Sequence, residues 1–287
     1  MDISVCIVNL NAKKHLINCI RSIPKAVRPH SYEIIVADNH SSDGSGPYIL
    51  KNFPFVHLLS NNRNIGYTTA MNRILRMSRG DYKVILNPDT VLMPHSITLL
   101  VNFLKQNNTI GIVGPKVVND DGTFQRSCRR GIARPVAVFS YFFGMAKMFP
   151  NNKNFTEYHL NHLDENELSE VGGVSGSCMI VRNEVIKEVG LLDERYFAYQ
   201  EDSDYCIRAK EKGWGVYYNP ESVVKHSGGK GGANSVPFQA IFEWHRSYFR
   251  YYFKHFSDDY SMVFNCFYSM IMLGKLIFAI GIHFIKR

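Results

Sequence analysis

A chain of 287 residues that is 45% apolar and 20% charged is long enough for one large domain, or a domain with an appendage, and can bury a full core without staples. This composition excludes a disordered chain, and 21 Gly with 11 Pro exclude a collagen-like or low-complexity one. Lys and Arg outnumber Asp and Glu by 33 to 25, which admits nucleic acid, a phosphorylated small molecule or an acidic membrane face as partner; no nucleic-acid motif occurs, so no nucleic-acid partner is expected.

Residues 3–8 read as a buried strand and 13–22 as a helix, with Leu16, Ile17, Ile20 and Ile23 on one side. Further strands are expected at 33–37, 56–59 and 82–86, with a helix over about 67–78. Continuous apolar strands separated by helices predict a mostly parallel sheet flanked by helices, an α/β fold. In such sheets the ligand lies beyond the carboxyl ends of the strands, so the loops at 9–12, 38–44, 60–66 and 87–90 are the ones to inspect. Strands at 110–118 and 176–181 follow, then a helix at 183–189 stopped by Gly190. The run Glu201-Asp202-Ser203-Asp204 opens a helix that ends at Gly213. Short strands are expected at 216–218 and 222–225, around Asn219-Pro220. Residues 130–170 carry only weak periodicity, and from 238 onward the chain reads as helical and increasingly apolar.

Cys6, Cys19, Cys128, Cys178, Cys206 and Cys266 lie far apart without a C-x-x-C pair. That pattern reads as reduced, mostly buried thiols of a cytosolic protein. The apolar run at 3–8 is too short for the hydrophobic stretch of a signal peptide, and none is expected. No G-x-G-x-x-G follows the first strand, and the run Gly228-Gly229-Lys230-Gly231-Gly232 lacks the spacing and the Ser or Thr of a P-loop. A nucleotide binder of this fold without a glycine cradle must hold a diphosphate another way, most simply with a metal ion.

Three segments carry the chemistry: Asn87-Pro88-Asp89 after the fourth strand, Glu201-Asp202 at a helix start, and His226 at the end of a strand. A carboxylate and an imidazole, joined by diphosphate oxygens and water, suit Mn²⁺ or Mg²⁺. Asp202 is then free to act as general base on a hydroxyl. Each segment also has a plainer reading: turn chemistry for Asn-Pro-Asp, a complement to the helix N-terminus for the acidic pair, and a structural histidine.

The order and flanks of these segments go further. The matching stretches are Ser4-Val5-Cys6-Ile7-Val8-Asn9-Leu10-Asn11, Glu33-Ile34-Ile35-Val36-Ala37-Asp38-Asn39, Ser42-Asp43-Gly44-Ser45, Asn64-Ile65-Gly66-Tyr67 with Asn72, Leu86-Asn87-Pro88-Asp89-Thr90 and Gly114-Pro115-Lys116. They continue through Asp121-Gly122-Thr123, Ser127, Arg129-Arg130, Ser175-Gly176-Ser177-Cys178-Met179, and Val189 to Phe197. Glu201-Asp202-Ser203-Asp204, Gly213-Trp214 and His226 complete the set. Over roughly residues 3–255 the chain resembles the family 2 inverting glycosyltransferases of the GT-A (Rossmann-like) fold, most closely bacterial rhamnosyltransferase-like members that build cell-surface polysaccharide.

The resemblance implies that Asp38 contacts the nucleotide base, with Asn11 lining the same pocket, and that Gly66 and Asn72 lie beside the nucleoside and diphosphate. Asp89 matches the last acid of the family's DxD-type metal motif, whose first position is here Asn87. His226 matches the histidine that completes the metal site, Asp202 the catalytic base, and Glu201 a contact to the acceptor. Arg129 and Arg130 read either as a clamp on diphosphate charge or as a solvated basic loop, and Trp214 as core packing behind the 202–212 helix rather than as a sugar-stacking platform. The implied reaction passes a sugar, rhamnose first, from a dTDP- or UDP-sugar to a saccharide or lipid-linked saccharide, with Mn²⁺ or Mg²⁺ as cofactor. A sugar-1-phosphate nucleotidylyltransferase and a non-catalytic membrane-docked scaffold are the rival readings. The first of these normally has a glycine-rich basic loop that Asn9-Leu10-Asn11-Ala12-Lys13 does not supply.

Residues 238–256 mix aromatic with basic side chains, and 260–285 are almost wholly apolar apart from Asn265, Lys275 and His283. That length suffices to span a bilayer, but Lys275 near its middle disfavours spanning by about 2.5–3.5 kcal/mol. An in-plane anchor accommodates it better; a buried helix hairpin or homodimer contact is the remaining option. The expected organisation is a catalytic domain over 1–236 and a helical membrane-associating extension over 237–287, at the cytoplasmic face of the inner membrane.

Overall fold

The computed structural model describes residues 1–149, 152–229, 232 and 236–285. Strand β1 (Ile3–Asn9) is buried along its whole length. Helix α1 (Lys13–Val27) buries Leu16, Cys19, Ile20, Ile23 and Val27, spaced for one helical face, in the same core. Strands β2 (Tyr32–Asp38), β3 (Val56–Ser60) and β4 (Tyr82–Leu86) run parallel to β1 in the order β3-β2-β1-β4. Between them pass α2 (Ser45–Asn52) and α3 (Tyr67–Met77), the latter burying Ala70, Met71, Ile74 and Leu75. Met71, Ile74 and Leu75 each contribute about 1.5–3 kcal/mol by leaving water.

Beyond β4 come β5 (Thr90–Leu92), α4 (Ser96–Gln106) and β6 (Ile110–Val118), then β7 (Arg129–Arg130). The weakly periodic stretch holds three short helices, α5 (Pro135–Phe142), α6 (Met145–Met148) and α7 (Lys153–Thr156). Strands β8 (Ser169–Glu170), β9 (Gly173–Val174) and β10 (Cys178–Arg182) lead to α8 (Asn183–Val189), α9 (Glu201–Glu211) and β11 (Gly215–His226). The chain closes with α10 (Pro237–His255) and α11 (Met262–Ile285).

Among the described residues the main sheet has nine strands, in the order β3-β2-β1-β4-β10-β6-β11-β5 with β8 paired to β11. Its first half is parallel, but β10 runs antiparallel to both β4 and β6, and β11 antiparallel to β5. A strand buried on both faces reads as the same apolar run in either direction, so direction is invisible in the sequence. The two strands expected at 216–218 and 222–225 are one. The register of β11 against β6 shifts between Asn219 and Val223, where Asn219 Oδ1 accepts the Glu221 N–H at 3.0 Å.

A second core lies outside the sheet. Tyr248, Tyr251 and Tyr252 of α10, with Phe256 just past its end, pack with Ala137 and Val138 of α5, Tyr196, Ile207 of α9, and Tyr268 and Met272 of α11. Helix α11 is long and apolar enough to cross a membrane. Its inward face, Phe264, Tyr268, Met272 and Lys275, follows helical spacing, while Met262, Val263, Phe267, Met270, Leu273, Ile277 and Phe278 are exposed. All six cysteines are free, five of them buried and Cys266 exposed.

Candidate active site

Asn87-Pro88-Asp89 turns the chain from β4 into β5. Asn87 N–H and Thr90 Oγ1 both donate to the Ser177 carbonyl, at 3.1 and 2.9 Å. The short β5–β11 ladder then sets His226 opposite Thr90, and Ser227 N–H donates to the Asp89 carbonyl at 3.1 Å. Two residues remote in the chain therefore meet, Asp89 Oδ1 lying 3.2 Å from His226 Nε2.

The histidine is held from behind. Asp121 accepts from Thr123 Oγ1 at 2.6 Å, Thr123 Oγ1 from the Asn119 amide at 2.9 Å, and Asn119 Oδ1 from the Gln125 amide at 2.9 Å. Only the Gln125 carbonyl oxygen is then left for His226 Nδ1, 2.8 Å away. A carbonyl accepts, so Nδ1 carries the proton and the lone pair of the neutral ring sits on Nε2, facing Asp89. Asn87 Nδ2 lies 3.4 Å from that same Nε2. A carboxylate oxygen and an imidazole lone pair aimed at one point form the donor set that Mn²⁺ or Mg²⁺ accepts. Among the described residues no group of three or more His, Cys, Asp or Glu could hold a metal, so this pair fits a cation whose remaining ligands come from substrate and water.

Glu201 and Asp202 open α9 after two residues of positive φ, Tyr199 at 68° and Gln200 at 63°. Such backbone costs of order 1–3 kcal/mol per residue and gathers where side chains must be aimed. Asp202 Oδ2 accepts from Arg130 Nη2 at 2.5 Å and from Gly176 N–H at 3.0 Å, and Oδ1 from Ser203 N–H at 2.7 Å. The Ser203 hydroxyl also donates to Oδ1, at 3.3 Å, so four donors orient the carboxylate. Glu201 is buried, with Oε2 lacking a hydrogen-bond partner among the described residues. Burial, with the Asp202 charge next to it, pushes Glu201 up to about 8.

Asn87, Asp89, Arg130, Glu201, Asp202 and His226 line one cavity of about 500 Å³. Tyr67 Oη, Ser177 Oγ and Gln200 Oε1 are buried in its wall without partners among the described residues, polar atoms that a polar ligand would satisfy.

The other expected site residues lie elsewhere. Asn72 is fully occupied as a clamp on the loop before α9: its amide donates to the Leu192 carbonyl at 2.8 Å and Glu194 at 3.0 Å, and its oxygen accepts the Leu192 N–H at 3.1 Å. Gly66 is glycine because a Cβ there would meet Phe197 at 2.8 Å, at a φ of +88°; the backbone it approaches is the chain's own. Asp38, at the end of β2, accepts from Asn9 at 2.8 Å and Ser41 at 2.6 Å, and Asn11 accepts the Ser42 N–H at 2.7 Å. Both shape the loops at the mouth, where Asn39 rather than Asp38 lines the cavity. Arg129 is neither solvated nor free for diphosphate: it is buried over Tyr218 and donates to the Leu163 and Asp164 carbonyls at 2.7 and 2.8 Å. Trp214 packs against the sheet core and donates to Glu188 at 2.9 Å. Lys230 and Gly231 of the glycine-rich run lie outside the described residues. Arg130, expected at a diphosphate or in a solvated loop, instead holds Asp202, and Gln125 behind His226 is marked by no local pattern.

Known proteins share this architecture. The model of glycosyl transferase family 2 matches residues 4–190. An N-acetylglucosaminyl-diphospho-decaprenol L-rhamnosyltransferase of Mycobacterium tuberculosis is 32% identical over 235 residues, 77% of this chain and 75% of the relative. The chain belongs to glycosyl transferase family 2. This family 2 chain is also 24% identical over 215 residues to a low-salt glycan biosynthesis hexosyltransferase of Haloferax volcanii, covering 74% of this chain and 62% of that relative. Its fold is that of a Pyrobaculum calidifontis mannosyltransferase in complex with GDP-Man and Mn²⁺ (TM-score 0.59, 15% identity, 88% of this chain and 63% of that one). Staphylococcus aureus TarS in complex with UDP-GlcNAc is equally similar in fold (TM-score 0.59, 14% identity, 88% and 66%). The family 2 chain is a glycosyltransferase of GT-A fold, and the nucleotidylyltransferase reading falls away.

Proposed function

We propose that this glycosyltransferase moves a sugar, rhamnose as first assignment, from a dTDP- or UDP-linked donor to a hydroxyl of a lipid-linked saccharide, inverting the anomeric centre. The approach of Asp89 Oδ1 to within 3.2 Å of His226 Nε2, in the cavity that also holds Asp202, carries this reading. The rhamnosyl and lipid-linked assignments are supported by the named activity of the M. tuberculosis relative.

Asp89 and His226 would hold Mn²⁺ or Mg²⁺, which when bound supplies positive charge against the departing diphosphate. Asp202, oriented by Arg130 and the Gly176 N–H, takes the proton of the acceptor hydroxyl as that oxygen attacks the anomeric carbon. Glu201, protonated at neutral pH, offers a hydrogen bond to the acceptor sugar. Single displacement needs no nucleophile from the chain. Asn11 and Asp38 edge the groove beyond β1 and β2 where the base would lie.

Residues 1–236 serve as the catalytic domain and 237–287 as an extension that lies on the cytoplasmic face of the membrane. Helix α11 supports an in-plane position: Lys275 turns inward, its Nζ 3.9 Å from the Trp244 ring centroid and 4.1 Å from that of Phe142. The opposite, apolar face is left outward for lipid. Carbonate extraction releases an in-plane protein and retains a spanning one.

The test of the activity is purified full-length protein against a panel of nucleotide-sugars with Mn²⁺ or Mg²⁺. Release of nucleoside diphosphate with an inverted product, abolished by excess chelator, is expected. Full turnover in chelator removes the metal assignment, and retention of configuration removes the mechanism.

A further inference from the structure

A second chamber of about 910 Å³ adjoins the catalytic cavity, the two sharing Tyr141, Tyr158, His159 and Trp244 as walls. Its described lining contains Arg126 and Lys275 and no carboxylate. Arg126 is exposed and gives one bond, to Asn161 Oδ1 at 3.1 Å. Lys275 sits between two aromatic rings, 3.4 Å from His245 Nε2, with no ion pair among the described residues. Burial alone lowers it, to about 8. His159 Nδ1 is buried without a partner among the described residues. Two cations and an imidazole nitrogen without a partner, in a described lining free of carboxylates, are groups that an anion suits, and the half-buried Lys275 has no counter-charge among the described residues. The lining includes the exposed Tyr141 together with Phe142, Gly144 and Ala146; close by in the chain Phe143, Met148 and Phe149 are exposed and apolar, and α11 supplies Lys275 from the helix whose outer face is apolar.

We propose that this chamber binds the diphosphate of an isoprenoid-linked acceptor. Its sugar would reach past Tyr158 and His159 into the catalytic cavity, and its chain would leave along the exposed apolar residues of α5, α6 and α11. The inference rests on the lipid-linked acceptor proposed above and adds the place where that acceptor is recognised. Arg126 meets two phosphate oxygens with its planar fork, and Lys275 provides a point charge deeper in the chamber. The donor diphosphate, held at Asp89 and His226, does not enter it.

The test is calorimetric titration of the full-length protein in detergent with farnesyl diphosphate, alongside farnesol, inorganic pyrophosphate and phosphatidylglycerol. Farnesyl diphosphate is expected to bind saturably, and farnesol and pyrophosphate at least about tenfold more weakly. Arg126→Ala and Lys275→Met should each weaken farnesyl diphosphate about tenfold or more. Arg126→Ala, on an exposed side chain, keeps the test valid if Lys275→Met fails to fold. In transfer assays Arg126→Ala should raise KM for a farnesyl-diphospho-N-acetylglucosamine acceptor about tenfold, leaving KM for octyl N-acetylglucosaminide and for the donor unchanged. No saturable binding, unchanged affinity in both variants, or equal displacement by phosphatidylglycerol would overturn the proposal. Glycosylation of the octyl acceptor without binding of farnesyl diphosphate sinks the subsite and leaves sugar transfer standing. Binding of farnesyl diphosphate without glycosylation of either acceptor does the reverse.

Discussion

The core beneath the sheet and the core behind the catalytic carboxylates are made from different chemistry. In the first, Ile3, Val5 and Ile7 of β1 and Leu16, Ile20 and Ile23 of α1 are buried with no polar atom that needs a partner. In the second, six tyrosines (Tyr158, Tyr196, Tyr248, Tyr251, Tyr252 and Tyr268) are buried around α10. Asp204 is buried beside them, bonded to Arg208 at 2.8 Å, Lys254 at 2.5 Å and His255 at 2.8 Å. Burial alone would raise Asp204, yet the His255 bond and the Arg208 and Lys254 charges hold it below its ordinary value. An aliphatic core is tolerant of shape-conserving change, whereas a core of bonded polar groups fails when one partner goes. The difference shows what the second core is for: it ties α9, which carries Glu201 and Asp202, to α10 and α11.

The largest effect should fall on chemistry rather than folding. Asp202→Asn is expected to lower kcat by about 10²–10⁴-fold with donor KM little changed; a larger loss in Glu201→Gln would exchange the two roles. Next comes the buried network. Asp204→Asn should cost about 3–5 kcal/mol in denaturant unfolding, against about 0.5–1.5 kcal/mol for Ile7→Val in the aliphatic core. Equal costs would erase the distinction between the cores. Gln125→Leu should weaken Mn²⁺ binding in the presence of nucleoside diphosphate by about 10–100-fold without moving the thermal midpoint appreciably; unchanged affinity would show that the Gln125 bond does not select the His226 tautomer.

The last effect is a slope with pH. Glu201 has a folded-state value raised from about 4.5 to about 8, so the folded state binds the extra proton between these values. Its contribution to stability is complete below about 4.5 and is lost as pH rises through about 8. The thermal midpoint of Glu201→Gln should match wild type near pH 5 and exceed it progressively toward pH 8. A constant difference across that range would mean that Glu201 is ionised throughout.

Much of this is legible in the amino-acid sequence. Continuous apolar runs marked β1 to β4, β6 and the region of β10, and the acidic start of α9 was marked by Glu201-Asp202 before a helix stopped near Gly213. Asp89, Asp202 and His226 were identified through resemblance, and they share one cavity. What stayed hidden depends on pairing and backbone geometry. The three-residue strand β5 is too short for a periodic signal, yet its ladder with β11 brings His226 to Asp89. Asn72 and Arg129 carry the polarity of ligand contacts, but their bonds go to the protein's own loops: Asn72 to the Leu192 backbone and the Glu194 side chain, Arg129 to the Leu163 and Asp164 carbonyls. Helices α5 to α7 span few turns, and α5 is apolar nearly all round, so periodicity could not expose them. The positive φ of Tyr199 and Gln200 leaves no mark on residue types that ordinarily avoid it.

Pulsed electron paramagnetic resonance of Mn²⁺ with nucleoside diphosphate and the full-length protein tests the central arrangement most directly. An imidazole ¹⁴N coupling that vanishes in His226→Gln, together with loss of Mn²⁺ binding in Asp89→Ala, is the predicted result. Mn²⁺ bound with no nitrogen coupling, or bound equally well without Asp89, would contradict it.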